Sequence, residues 1–172
     1  KNALMTLYKK LKKTKADVIY SDMDMIDAEG VHSSPLYKPD WSPELMLSQM
    51  YLGHLIAFKR GLFEQCGGFN SEYDGAQDYD LLLRMSELTN QIVHVPEVLY
   101  SWRMLPTSTA ANADAKPYAQ IAGKRAIQAH LDRVLGDGKA EVYETENLFV
   151  YDVRYSLDQM PLASIIIPTK DH

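Results

Sequence analysis

Two acidic constellations carry residue types and spacings suited to chemistry. Asp22 and Asp24, in the stretch Tyr20-Ser21-Asp22-Met23-Asp24-Met25-Ile26-Asp27, follow directly on the apolar run Val18-Ile19-Tyr20. An Asp-x-Asp pair at a strand end is a common way of holding a divalent metal against phosphates. The second constellation runs Gly67-Gly68-Phe69-Asn70-Ser71-Glu72-Tyr73-Asp74-Gly75-Ala76-Gln77-Asp78-Tyr79-Asp80. Its glycine pair lets backbone approach a ligand closely, and its carboxylates fall at a helix N-terminus. There the free N–H groups and the macrodipole favour an ionised carboxylate, which suits a general base at neutral pH. The plainer reading is that Asp74, Asp78 and Asp80 cap and solvate the helix, because acidic first turns are common.

The elements that must position these residues are legible in the periodicity. Leu4, Leu7, Tyr8 and Leu11 mark an amphipathic helix whose opposite face carries Lys9, Lys10, Lys12, Lys13 and Lys15. Residues 17–21 read as a buried strand, Asp27 to Gly30 as a turn, and the segment from His32 to Pro43, with three prolines, as an extended loop. A short helix over 43–51 with Pro43 in its first turn, a strand over 52–58 and a short helix over 61–66 ended by Gly67-Gly68 come next. Asp74 and Gln77 have capping-box spacing and predict a helix to about Leu88, with Leu81, Leu82, Met85 and Leu88 inward and Asp80 paired to Arg84. Ile92 to Val95 and Val98 to Trp102 read as two strand pieces, and Ser108 to Lys116 as a loop or lid. Residues 117–135 form a long helix with Ile127, Leu131, Val134 and Leu135 inward. Asp137-Gly138 is a turn, 140–143 and 148–155 are paired strands, and Leu162 to Pro168 is a buried-strand run. The mixture predicts an α/β class, α+β by strict count, with a mixed sheet and flanking helices.

Composition narrows the function. The chain has 172 residues, 46% hydrophobic and 24% charged, with a formal net charge of −5. That is enough for a real core and gives no basic excess for nucleic acid. The single cysteine, Cys66, rules out an internal disulfide and suits a reducing compartment; with no His beside it, it reads as a small buried residue. No run of 18 apolar residues and no signal-peptide pattern occurs. A first residue, Lys1, already inside a helical pattern suggests a piece of a longer protein.

The stretch Gly67 to Arg84, together with Val93-His94-Val95-Pro96-Glu97-Val98-Leu99-Tyr100-Ser101-Trp102-Arg103 and Ser108-Thr109-Ala110, closely resembles the C-terminal half of family 2 glycosyltransferases. The likeness is greatest to bacterial enzymes of O-antigen and rhamnan-type surface polysaccharide synthesis. Tyr20-Ser21-Asp22-x-Asp24 and Tyr37-Lys38-Pro39-Asp40-Trp41-Ser42-Pro43 resemble two further signatures of that group, so the resemblance spans about residues 1–110 in several ordered motifs. It implies a GT-A fold that moves a sugar from a nucleotide-diphosphate donor to a saccharide acceptor with inversion, with Asp78 as catalytic base. It implies substrate-side roles for Gly67, Gly68, Asp80, Trp102 and Arg103, an Arg being suited to phosphate charge and a Trp to a sugar face. By motif order the family's metal-binding Asp-x-Asp precedes the first helix of this chain. The Mg or Mn ion expected for the whole enzyme therefore has its main ligands upstream, and Asp22 and Asp24 face the cleft, touch substrate or order the Lys38-Pro39-Asp40 loop. Leu105 stands where many members carry a His able to ligate the metal.

Ser164-Ile165-Ile166-Ile167-Pro168-Thr169 resembles the opening strand of another such domain. The expected organisation is thus the back half of one transferase domain (1–112), a connecting helix and strand pair (113–160), and the start of a second domain (161–172), in a cytoplasmic enzyme at the inner face of the membrane. Alone, this piece is expected to transfer no sugar. Two rivals differ in class. A phosphohydrolase of the haloacid-dehalogenase type would use Asp22 as nucleophile and Asp24 as acid/base, but Ser21 interrupts its hydrophobic run and Met25-Ile26 miss its Thr. A carbohydrate-binding module would use Trp41, Tyr73 and Trp102 as sugar platforms without turnover.

Overall fold

The computed structural model describes residues 2–104, 117–159, 161–168 and 170. It is a mixed α/β fold, with a mixed sheet flanked by helices. Strand β1 (Val18–Ile26) is its centre. Strand β4 (Ile92–Arg103) runs parallel along the whole of one edge of β1. The other edge is shared end to end by two antiparallel strands. β3 (Ile56–Phe58) pairs with Val18 to Tyr20, and β2 (His32–Leu36) with Met23 to Ile26. Val18, Ile19 and Tyr20 are fully buried, as a strand covered on both faces requires.

Four strand expectations are corrected. β1 runs five residues past Ser21, since the polar Asp22 and Asp24 find partners within the fold instead of ending the strand. Part of the expected loop is β2, which tolerates Pro35 because it pairs on one side only. Pro96-Glu97 does not divide β4; it is absorbed where the register shifts between Ser21 and Asp22, as a bulge allows. The strand expected over 52–58 shrinks to β3, because Gly53 (φ 59°) and Leu55 (φ 59°) put a left-handed turn in front of it.

Helix α1 (Ala3–Thr14) buries only Leu7, against Ile19 and Val95, and leaves Leu4 and Tyr8 exposed, so its apolar stripe is narrower than its periodicity suggests. Helix α2 (Pro43–Ser48) starts with Pro43 at its first position and the Ser42 hydroxyl accepting from the Leu45 N–H at 3.2 Å. Helix α3 (Arg60–Gln65) stops at Gly67 (φ 81°) and Gly68 (φ 74°), residues that turn the chain left-handed. Helix α4 (Gln77–Ser86) buries Leu81, Leu82, Leu83 and Met85, while Leu88 lies beyond its end and is exposed.

Helix α5 (Pro117–Leu135) packs on α4 and carries the hairpin of β5 (Ala140–Glu144) and β6 (Tyr151–Tyr155) in the same core. Its inward face is mostly small, Ala119, Ala122, Gly123 and Ala126 with Ile127 and Leu131; Val134 and Leu135, expected inward, are exposed. The Gln128 amide donates to the Ala140 carbonyl and accepts from the Val142 N–H, both at 3.0 Å, locking β5 to α5. A Cβ on Gly123 would come within 2.2 Å of the Tyr151 hydroxyl, which is itself bonded to the Gln120 carbonyl at 2.9 Å. Gly123→Ala is therefore expected to destabilise by about 1–3 kcal/mol, read as a lower thermal midpoint, because the hydroxyl cannot move aside without giving up its bond. The run 161–168 forms no strand: it finds no pairing partner among the described residues, and Leu162 is 98% exposed. The expected loop or lid, Ser108 to Lys116, lies outside the described residues.

Candidate functional site

The start of α4 is built in three steps. A single 3-10 turn (Ser71–Tyr73) is closed by the Asp74 N–H on the Ser71 carbonyl. Gly75 then reverses the chain at φ 93°, and the Gln77 side-chain carbonyl accepts from its N–H at 2.9 Å. The helix begins at Gln77, so Asp74 is not the cap its spacing suggested, and Ala76 holds the cap position without a side-chain bond. Asp78 sits in the first turn and accepts from the Tyr79 N–H at 2.9 Å. Tyr79 is buried and donates its hydroxyl to the Met46 carbonyl; burial raises that phenol well above its usual range. Asp78 is thus fixed by an anchored neighbour while its own side chain stays half-buried.

Asp78 lines a cavity of about 520 Å³ with Trp102, His54, Tyr118, Phe149 and Tyr151 among its walls. Trp102 meets His54 edge to face at 4.9 Å. His54 was not singled out from the sequence, where one His between Gly53 and Leu55 has no spacing signature. Its position follows from the left-handed turn at Gly53 and Leu55, and a second cavity, of about 320 Å³, meets the first at Met50, Gly53, His54 and Trp102. Arg103 lies away from these cavities, donating to the Asp27 carbonyl at 3.0 Å.

Asp80, Gly67 and Gly68 belong to a different device. Asp80 is 1% exposed and takes the Arg84 Nε on both oxygens, at 3.2 and 3.1 Å. Arg84 also donates to the carbonyls of Cys66 and Gly68, the latter at 2.9 Å. The pair therefore ties the glycine turn to α4. None of the three residues lines either cavity. Asp80 is buried, and of the two glycines Gly68 is held by the guanidinium through its carbonyl.

The opening Asp-x-Asp is likewise absorbed by the fold. Asp22 Oδ1 accepts the Lys38 backbone N–H at 2.9 Å and lies 2.7 Å from His94 Nε2, and that ring stacks on Tyr20 at 5.0 Å. Of its expected roles, Asp22 performs the ordering of the Lys38-Pro39-Asp40 loop. Asp24 Oδ2 lies 2.8 Å from His32 Nδ1, and its Oδ1 has no hydrogen-bond partner among the described residues. One orphan oxygen is not a coordination sphere, and no group of three or more His, Cys, Asp or Glu among the described residues could hold a metal. Asp22 is also no exposed nucleophile, since β1 runs past it and both its contacts are internal, which removes the phosphohydrolase reading.

Lys38 is the other residue the sequence left without a role. Its buried ammonium donates to the Ser21 carbonyl at 2.6 Å and to the Leu52 carbonyl, so it joins β1 to the turn that presents His54. Burial pushes its amine down from the usual 10.5 to about 8, against the opposing pull of Asp22. Between those values the unfolded chain keeps a proton the folded chain has released, so stability from this group grows as pH rises through the window and is lost as pH falls through 8. The stability difference between the protein and Lys38→Met is expected to move in the parent's favour from pH 8 to pH 10.5. Urea unfolding across that range checks it, and a flat difference would contradict it.

No family model matches the chain. Two curated proteins are similar to it. An uncharacterized protein, y4gI, of Sinorhizobium fredii is 43% identical over 159 residues, which cover 91% of this chain and 17% of that protein. The O-antigen biosynthesis protein RfbC of Myxococcus xanthus is 39% identical over 154 residues, covering 90% of this chain and 12% of its own. The chain thus spans less than a fifth of the length of either relative.

Proposed function

We propose that the chain is the acceptor-side half of an inverting glycosyltransferase domain, of the family 2, GT-A type, in an enzyme of surface polysaccharide synthesis. The observation that carries the reading is the position of Asp78. It is a carboxylate in the first turn of a helix, fixed by a buried neighbour and half-exposed to an aromatic-walled cavity. The relative named for O-antigen biosynthesis supports the process, and the ordered motifs support the reaction. In the proposed reaction an acceptor hydroxyl enters the cavity and gives its proton to Asp78. Its oxygen attacks the anomeric carbon of the donor sugar, and the bond from that carbon to the nucleoside diphosphate breaks on the opposite side, which inverts the centre. The helix N-terminus favours the ionised Asp78 needed at the outset.

The donor is a nucleotide-diphosphate sugar, the acceptor a saccharide, and a further transferase domain of the same polypeptide is the expected neighbour. A divalent ion, if used, would serve the diphosphate; the described residues do not fit as its ligands, and no step above passes through it. The aromatic walls also suit a carbohydrate-binding module without turnover. Replacing Asp78 by Asn in the full-length protein separates the two: lost transfer with donor binding intact supports the base, and unchanged transfer defeats it.

A further inference from the structure

Phe149 is held in a costly backbone conformation in the loop before β6. Its φ is 60°, a left-handed value unfavourable for a bulky side chain. The half-buried ring lines the 520 Å³ cavity. Gln120, a buried polar residue of α5, holds it there: its side-chain oxygen accepts the Phe149 N–H, and its backbone carbonyl accepts the Tyr151 hydroxyl at 2.9 Å. Tyr118, two residues before Gln120 on α5 and half-exposed, is laid against Gly75, where a Cβ would fall 2.6 Å from its ring. These side chains come from α5 and the loop before β6, outside the motifs that suggest sugar transfer, yet they share one cavity with Asp78.

Charge and size narrow the occupant. Among the described residues the cavity wall includes Asp78 and neither lysine nor arginine, so its one permanent charge is negative and disfavours a phosphate or a uronate. The volume lies within the range of about 300–1,000 Å³ that holds drug-sized molecules, and exceeds what one sugar ring fills. Rigid aromatic faces offer contact area to the C–H face of a sugar at little entropic cost.

We infer that Phe149 and Tyr118 form a second saccharide subsite, which binds the sugar next to the one that accepts, so that the site selects a neutral di- or longer saccharide over a single sugar. This rests on the reading of the cavity as the acceptor site of a sugar transfer. The test uses the full-length protein with neutral mono-, di- and trisaccharides cut from the surface polysaccharide of the organism that carries it. The parent is expected to show a KM about tenfold lower for the disaccharide than for the monosaccharide. Phe149→Gly removes the ring and relieves the strained φ, so it is expected to keep the thermal midpoint and to erase the preference through a rise in the disaccharide KM. Phe149→Tyr is expected to retain the preference. A parent without preference, a Phe149→Gly protein that keeps it, or equal losses on both acceptors would overturn the subsite. Calorimetry on the Asp78→Asn protein separates the two readings. Length-dependent binding that needs Phe149 upholds the subsite even if Asp78→Asn retains turnover and the base assignment falls.

Discussion

Asp78→Asn is expected to lower the transfer rate of the full-length protein by about 10²–10⁴-fold, the usual contribution of a positioned base. The substitution is close to isosteric. The Asn side-chain oxygen can still accept the Tyr79 N–H now bonded to Asp78 Oδ1 at 2.9 Å, and Tyr79 stays anchored on the Met46 carbonyl. What is lost is the capacity to take a proton, together with the attraction of a first-turn anion to the helix N-terminus. The second term is worth about 0.3–1 kcal/mol and should leave the thermal midpoint within a few degrees. A large fall in rate with a nearly unchanged melt therefore isolates chemistry from folding. Rates from single-turnover transfer and melts followed by circular dichroism supply the two readouts. A rate within twofold of the parent would remove Asp78 from the mechanism.

The largest stability effect is expected at Arg84. Arg84→Met leaves Asp80, 1% exposed, without its counter-ion and strips the donors from the Cys66 and Gly68 carbonyls. An uncompensated buried charge costs about 3–5 kcal/mol, which in urea unfolding should remove much of a typical domain's stability. The double variant Asp80→Leu with Arg84→Met removes both charges and is expected to recover part of that loss, because an apolar pair can replace a buried ion pair at little net cost. Additive losses in the double variant would mean that the pair contributes through the glycine turn alone. Because Asp78 lies two residues before Asp80 on the same helix, the single variant should also lower transfer, and the double variant shows how much of that is due to the helix itself.

How far the sequence reveals the fold depends on whether local pattern and tertiary partner agree. They agree in α4, where Leu81, Leu82 and Met85 face the core as their spacing requires, and in α2, where Pro43 follows a capping Ser42. They disagree wherever a polar residue is satisfied by something distant in sequence. Asp22 and Asp24 look like a strand end, but one is bonded to Lys38 and His94 and the other to His32, so the strand continues through them. Pro96-Glu97 looks like a break, but the parallel strand absorbs it by shifting register. In the candidate site, Asp78 and Trp102 were legible because each sits in a motif, and the structure brings both to one cavity. His54, Tyr118 and Phe149 were not, because each reaches that cavity through a turn, a glycine contact or a buried glutamine that no local spacing encodes.

The order of strands around β1 also sets an order of assembly. Val18 pairs with Phe58 and Met23 with Leu36, both near in sequence, but Val18 meets Ile92 only across a much longer loop. Closing a longer loop costs more entropy, so the antiparallel side of the sheet can form on the emerging chain while the parallel side must wait. Lys38 can reach Asp22 at once, whereas His94, its other partner, arrives with the later strand. Trp102 arrives later still, and Tyr118 and Phe149 after it. During synthesis Asp78 and His54 are therefore present before Trp102, Tyr118 and Phe149, the wall residues that complete the cavity around them.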